Sequence, residues 1–337
     1  MVKHIRRLVS IMEKRENLLI YRMKGFAIWG VAVIHAATLS KQAASNSWAV
    51  FWHNVLPVFS DLGVPIFFLL AGFLDHRKSA KDFWCKRLRH LIIPWIVAGT
   101  LVWIAEMFHF RSIAAFMPLW KFLLGYGSYL HFMRQIVILF ILEFLFQHFP
   151  SIRIPSLTLL VLLGFSDFAG ITSFWDWMTS YLFAPSSLIY FECGVGVRYY
   201  VSHERDAGRP ISRRKLLCLE LFLLAVCFFL RIHHPLPVAM EAVIQLLKVG
   251  LVYSAMKAIH WNRLNMILEC WGKYSYAVYL LHMPVAGAVY HFDPTGWLYP
   301  FRGIVCVVIT LLGIRILQWF AKHGKTSLLS LFAIPVD

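Results

Sequence analysis

The sequence predicts an all-α polytopic membrane protein, a bundle of about ten transmembrane helices with both termini in the cytoplasm. Three observations carry this. Of 337 residues, 59% are hydrophobic and only 15% charged, too little polar surface for a soluble chain of this length. About ten apolar segments are each long enough to span a bilayer as a helix. Lys and Arg gather in the short stretches between those segments, and 25 of the 33 fall on one side when the N-terminus is placed inside.

In chain order, residues 1–18 form a basic cytoplasmic N-terminal segment. They lack the long apolar core and small-residue cleavage site of a signal peptide, so the first span must direct insertion itself. The spans follow near 19–39, 49–74, 90–110, 129–149, 156–174, 181–200, 215–231, 236–258, 274–291 and 300–321. The fifth is the most interrupted, by Asp167 and two glycines. An even number of spans returns the 322–337 tail to the cytoplasm. Inside stretches carry most of the positive charge, while Lys41, Arg111, Lys121, Arg231 and Arg302 lie at outside ends. Inverting the topology would put most of the positive charge outside, against the insertion bias.

The net charge of +16 is therefore a topology signal and implies no nucleic-acid partner. Six cysteines lie in apolar segments or basic loops and are expected as free thiols. Trp48, Trp52, Trp120, Trp175, Trp177, Trp297 and Tyr299 at the outside ends read as an interfacial aromatic belt, with the 173–177 stretch (SFWDW) a candidate saccharide-stacking surface. No zinc-type HExxH, nucleophile-elbow GxSxG or phosphate-cradling GxxxxGK[ST] stretch is present, and the 15 histidines are scattered, so no metal is implied.

The first span holds the most telling constellation. Lys24 and His35 are eleven positions apart, close to three helical turns, so they share one face about 16 Å apart along the axis. With Lys24 at the cytoplasmic lipid boundary, His35 sits near the bilayer midplane. Ionisable groups there are costly and read as functional by default, the alternative being a snorkelling Lys and a packed His. Other ionisable residues within spans, among them Arg134, Glu143, Glu192, Glu241 and Lys248, are expected mostly as interhelical pairs.

Four stretches together resemble the membrane-bound acyltransferase family 3, which acylates cell-surface carbohydrates and related acceptors. They are YRMKGFAIWGVAVIH at 21–35, GVPIFFLLAGFL at 63–74, KRLRHLIIPW at 86–95 and YSYAVYLLHMPV at 274–285. The resemblance covers essentially the whole chain, with Lys24 where relatives commonly carry Arg and Ala71 where they carry Ser. It implies a ten-span acyltransferase domain over 19–321 in the cell (cytoplasmic) membrane. It also implies O-acyl transfer from cytoplasmic acyl-CoA, acetyl-CoA the expected co-substrate, to a hydroxyl of an extracytoplasmic glycan or lipid-linked sugar. No bound cofactor is implied.

The residues suit that chemistry. A sugar hydroxyl needs a base, and the unperturbed pKa of imidazole lies near neutrality, which makes His35 the candidate general base. An acyl-His intermediate stays open. Donor phosphates need cations at the cytoplasmic mouth, where Lys24, Arg22, Arg87 and Arg89 lie. His282, at the position of the family's recurring His, Tyr279 beside it, and Asp61 are candidates to hold the acceptor or orient His35. A proton-coupled secondary transporter or exporter built on the same ionisable residues is the rival from another class. A non-catalytic membrane subunit is a third.

Overall fold

The computed structural model describes residues 2–75, 79–109, 117–165, 184–207, 238–259, 261–322, 329 and 331–335. Every regular element among them is helical. Helix α1 (Val2–Ala36) runs unbroken from the basic N-terminal segment through the first predicted span. At 1.5 Å per residue its 35 residues extend about 52 Å, well beyond a hydrocarbon core of about 30 Å. It stops at Ala36, three residues short of the expected boundary, because the next carbonyls are claimed by side chains from elsewhere.

The second predicted span is three pieces, α2 (Ser47–Val55), α3 (Pro57–Ser60) and α4 (Gly63–Leu74). Pro57 opens α3 and cannot donate a backbone hydrogen bond, so the ladder has a gap between α2 and α3 although Leu56 keeps helical dihedrals. Helix α5 (Ala80–Arg87) passes through a π-helical turn, Leu88–Ile92, into α6 (Ile93–His109). Then come α7 (Leu119–Leu123), α8 (His131–His148), α9 (Arg153–Phe165), α10 (Pro185–Ala207) and α11 (Val238–Ala258). The chain closes with α12 (Asn262–Lys273), α13 (Ser275–Phe292) and α14 (Arg302–Lys322).

Among the described residues, four stretches are long and apolar enough to cross a membrane: Asn17–Ala36, Ser47–Leu74, Lys81–Met107 and Tyr299–Ala321. The pair His131–His148 and Pro150–Leu159, bent by 116°, would make a fifth. Helices α10, α11 and α13 occupy the places of the sixth, eighth and ninth expected spans. The seventh, 215–231, lies outside the described residues, as do 166–174 of the fifth, Trp175, Trp177, Arg111 and most of the 322–337 tail. Helix α14 turns Ile309, Leu312, Ile316, Trp319 and Phe320 outward, the outer surface a lipid-facing helix needs.

The chain divides into two compact units. The first comprises Met1–Val64, Trp84–Glu106 and Ala255–Asp337. Its centre is α1, which buries Ala27, Ile28, Val31 and Ala32 and is flanked by α12, α13 and α14. The second comprises Pro65–Phe83 and Met107–Ser254. Its core is phenylalanine-rich, with Phe68, Phe83, Phe122, Phe146 and Phe191 buried. There α4 and α10 cross through glycine: a Cβ on Gly72 would lie 2.0 Å from the Phe191 carbonyl oxygen, and one on Gly194 2.0 Å from that of Leu69. Arg153 bridges Glu143 and Glu192 at 2.8 Å each, and Gln147 donates to both Glu143 and Asp75. Glu143 and Glu192 are thus interhelical partners, as intramembrane charges are expected to be.

Candidate active site

His35 is the penultimate residue of α1, half-buried, above a turn whose Val31, Ala32 and Val33 are all buried. Lys24 lies three turns earlier, also half-buried, with its ammonium 5.9 Å from the Tyr21 ring centroid. Since both residues lie within one continuous helix, eleven steps of 100° leave them about 20° apart around the axis, on the stripe the sequence predicts.

What the helix brings to His35 is His282. The two imidazole rings are 5.1 Å apart between centroids and inclined by 52°. His282, on α13, is wholly buried, and its Nδ1 lies 2.7 Å from the Tyr279 carbonyl oxygen. A carbonyl can only accept, so Nδ1 carries the proton and Nε2 presents its lone pair. The Tyr279 ring, also buried, stands 6.0 Å from that of His282. Cys306 on α14 donates from Sγ to the His282 carbonyl oxygen at 3.6 Å, tying α14 to the α13 backbone at this residue. Pro284, two residues on, interrupts the backbone ladder of α13 here.

At the Lys24 end, Arg22 is engaged by a residue that sequence reading did not single out. Its Nε and Nη2 both lie 2.7 Å from Glu269 Oε1 on α12, each side chain about one-fifth exposed. Helix α12 replaces what reads in the sequence as a basic loop. Gly25 and Gly272 let it approach: Cβ atoms there would lie 2.0 Å from the Leu268 carbonyl oxygen and 1.8 Å from that of Tyr21. The signal was available in NRLNMILECWGK, where Leu264, Leu268 and Trp271 recur at helical spacing with Glu269 beside them. Twelve residues are too few to span a bilayer, so a search for spans passes over them.

Arg87 ends α5, and Arg89 is exposed within the π-helical turn. In that turn the Ile93 N–H reaches the Leu88 carbonyl, and Pro94 removes the next donor. The Tyr276 hydroxyl donates to the Leu91 carbonyl at 2.6 Å, joining the stretch at 274–285 to the one at 86–95. Asp61 is exposed, in the turn between α3 and α4. Ser60 and Gly63, which flank that turn, pack against Gly30, Ala27 and Val31, one helical turn short of His35. The structure thus gathers His35, His282 and Tyr279, sets Lys24 and Arg22 three to four turns back along the same helix, and puts Arg22 against Glu269.

The acyltransferase 3 family model, described as an acyltransferase domain, matches residues 20–319. No curated protein and no solved structure matches the chain.

Proposed function

From membership of the acyltransferase 3 family of membrane acyltransferases, to which this chain belongs, we propose that it acylates a hydroxyl of an extracytoplasmic glycan or lipid-linked sugar, with His35 as general base. The donor is cytoplasmic acyl-CoA, acetyl-CoA first, with its phosphates at the Lys24 end of α1. Arg87 and Arg89 add positive charge at that mouth, and Arg22 joins them when its Glu269 partner yields. The acceptor enters from the opposite face of the cytoplasmic membrane, and Asp61 and Tyr279 help hold it.

The observation that carries this reading is the His35–His282 pair. The two rings lie 5.1 Å apart between centroids and are inclined by 52°. His282 donates its Nδ1–H to the Tyr279 carbonyl, which fixes that ring beside His35. A ring held this close limits how the His35 imidazole can turn, the positioning role that a base's partner plays in acyl transfer.

The basic nitrogen takes the hydroxyl proton as the alcohol oxygen attacks the thioester carbonyl. The tetrahedral adduct collapses with cleavage of the C–S bond, and the imidazolium returns the proton to the departing thiolate. The products are an ester and free CoA. Closing the bundle over this point excludes water and limits thioester hydrolysis.

Purified protein, labelled acetyl-CoA and an acceptor glycan test the reading. His35→Ala is expected to cut kcat by about 10²–10⁴, the usual contribution of a general base, with the thermal midpoint retained. Lys24→Ala is expected chiefly to raise the donor KM. Transfer at the wild-type rate by His35→Ala overturns the base assignment, and an unchanged donor KM removes Lys24 from the donor site.

A further inference from the structure

Arg302 is the largest side chain in the described structure with no solvent exposure at all, a strange place for a charge that the sequence presents as a topology marker at a helix end. Its guanidinium makes three contacts. Nε donates to Asp293 Oδ2 at 3.0 Å, Nη2 to the Asp293 carbonyl, and Nη1 to the Thr38 carbonyl at 3.0 Å. The rings of Tyr299 and Tyr290 lie 5.0 and 5.9 Å from it. The Asp293 carboxylate also accepts the backbone N–H groups of Trp297 and Leu298, both at 3.0 Å, so the turn after α13 wraps around it.

Tyr299 completes the arrangement. Its hydroxyl donates to the Ala37 carbonyl, so it accepts from His53, whose Nδ1 is 2.7 Å away. Ala37 and Thr38 directly follow α1, two and three residues after His35. Helix ends leave their last carbonyls without intrahelical donors, and here Tyr299 and Arg302 supply donors to the two that follow. Gly303 brings α14 against the same turn, since a Cβ there would meet Val33 Cγ2 at 2.3 Å.

We infer that Arg302, Asp293 and Tyr299 form a clamp that sets the height and rotation of the last turn of α1, and so act as positioning residues for His35. The inference rests on the reading of His35 as the base. Carbonyls buried just beyond a helix end need donors, and this clamp supplies them within one turn of the reacting ring. A buried guanidinium without its carboxylate is strongly destabilising, so both members are needed together. Without the clamp, α1 would remain helical, but its final turn would be free to shift and rotate.

Two mild substitutions separate positioning from folding. Tyr299→Phe keeps the ring and loses the hydroxyl bonded to Ala37 and His53. Arg302→Lys keeps a cation for Asp293 and loses the reach to Thr38. On purified full-length protein, kcat, the donor KM, the thermal midpoint and carbethoxylation of His35 by mass spectrometry are measured, with exposed His148 on α8 as the internal reference. The expected result is a ten- to hundred-fold lower kcat, since about 1 Å of misplacement costs about that much. The donor KM should stay within about two-fold by the same argument, and His35 reactivity should change relative to His148. Unchanged kcat per folded molecule in both variants, with only the midpoint lowered, overturns the clamp as a positioning device. Unchanged His35 reactivity overturns it as well. Wild-type transfer by His35→Ala would remove the base reading instead, leaving the reactivity measurement to judge the clamp.

Discussion

Replacing Gly25 with alanine pits two effects of opposite sign against each other. Alanine is the better helix former by about 1 kcal/mol, so propensity alone predicts a more stable α1. The crossing with α12 predicts the reverse. A Cβ on Gly25 would sit 2.0 Å from the Leu268 carbonyl oxygen, 2.8 Å from its carbon and 2.9 Å from its Cα, all backbone atoms that no rotamer change can move. Ordinary contact begins near 3.4 Å, so the helices must part by about 1.4 Å. Overpacking of this kind costs about 1–3 kcal/mol, and a rigid obstacle puts it near the upper end. Net destabilisation of about 2 kcal/mol remains after subtracting the propensity gain. The same parting stretches the 2.7 Å Arg22–Glu269 pair. The assay is the thermal unfolding midpoint in detergent at one scan rate, with Gly313→Ala as control. Gly313 has open space where its Cβ would go, so propensity should act alone there. The midpoint should fall by several degrees for Gly25→Ala and hold or rise for Gly313→Ala. A Gly25→Ala protein as stable as the Gly313→Ala control would refute the close crossing.

Two further substitutions probe contacts around the site. Glu269→Gln removes the charge that neutralises Arg22, so the donor KM should fall several-fold and grow more salt-sensitive; a raised KM would show that Glu269 serves to hold Arg22 in place. Tyr276→Phe removes a side-chain donor to the half-buried Leu91 carbonyl, at a cost of about 0.5–1.5 kcal/mol. Hydrogen exchange across residues 91–96 should quicken and the midpoint fall, and no change in either would show the π-helical turn to be independent of α13.

The residues proposed for the site were readable because their pattern is local. Lys24 and His35 share a face of one helix, and helical periodicity is written in the chain. His282 was visible as a motif position, but its 5.1 Å approach to His35 was not, since 247 residues separate them and apolar helices carry no address for their partners. Glu269 was missed because α12 is too short to be recognised as a span. Arg302 was counted as one more boundary charge, because charge counting registers a side chain's sign and place in the sequence but not the direction in which it points.

The sequence by itself determined the helical class, the four apolar stretches that can cross a membrane among the described residues, the family and the placement of Lys24 and His35 on one stripe. Those follow from composition and from periodicity along a single segment. Only the tertiary structure decided that α1 ends at Ala36, that Arg22 meets a carboxylate, that His35 faces a second imidazole, and that a buried arginine meets the carbonyl of Thr38 just beyond α1. Each of these depends on which backbone groups lack partners once helices pack, and on the few places where glycine lets two helices touch.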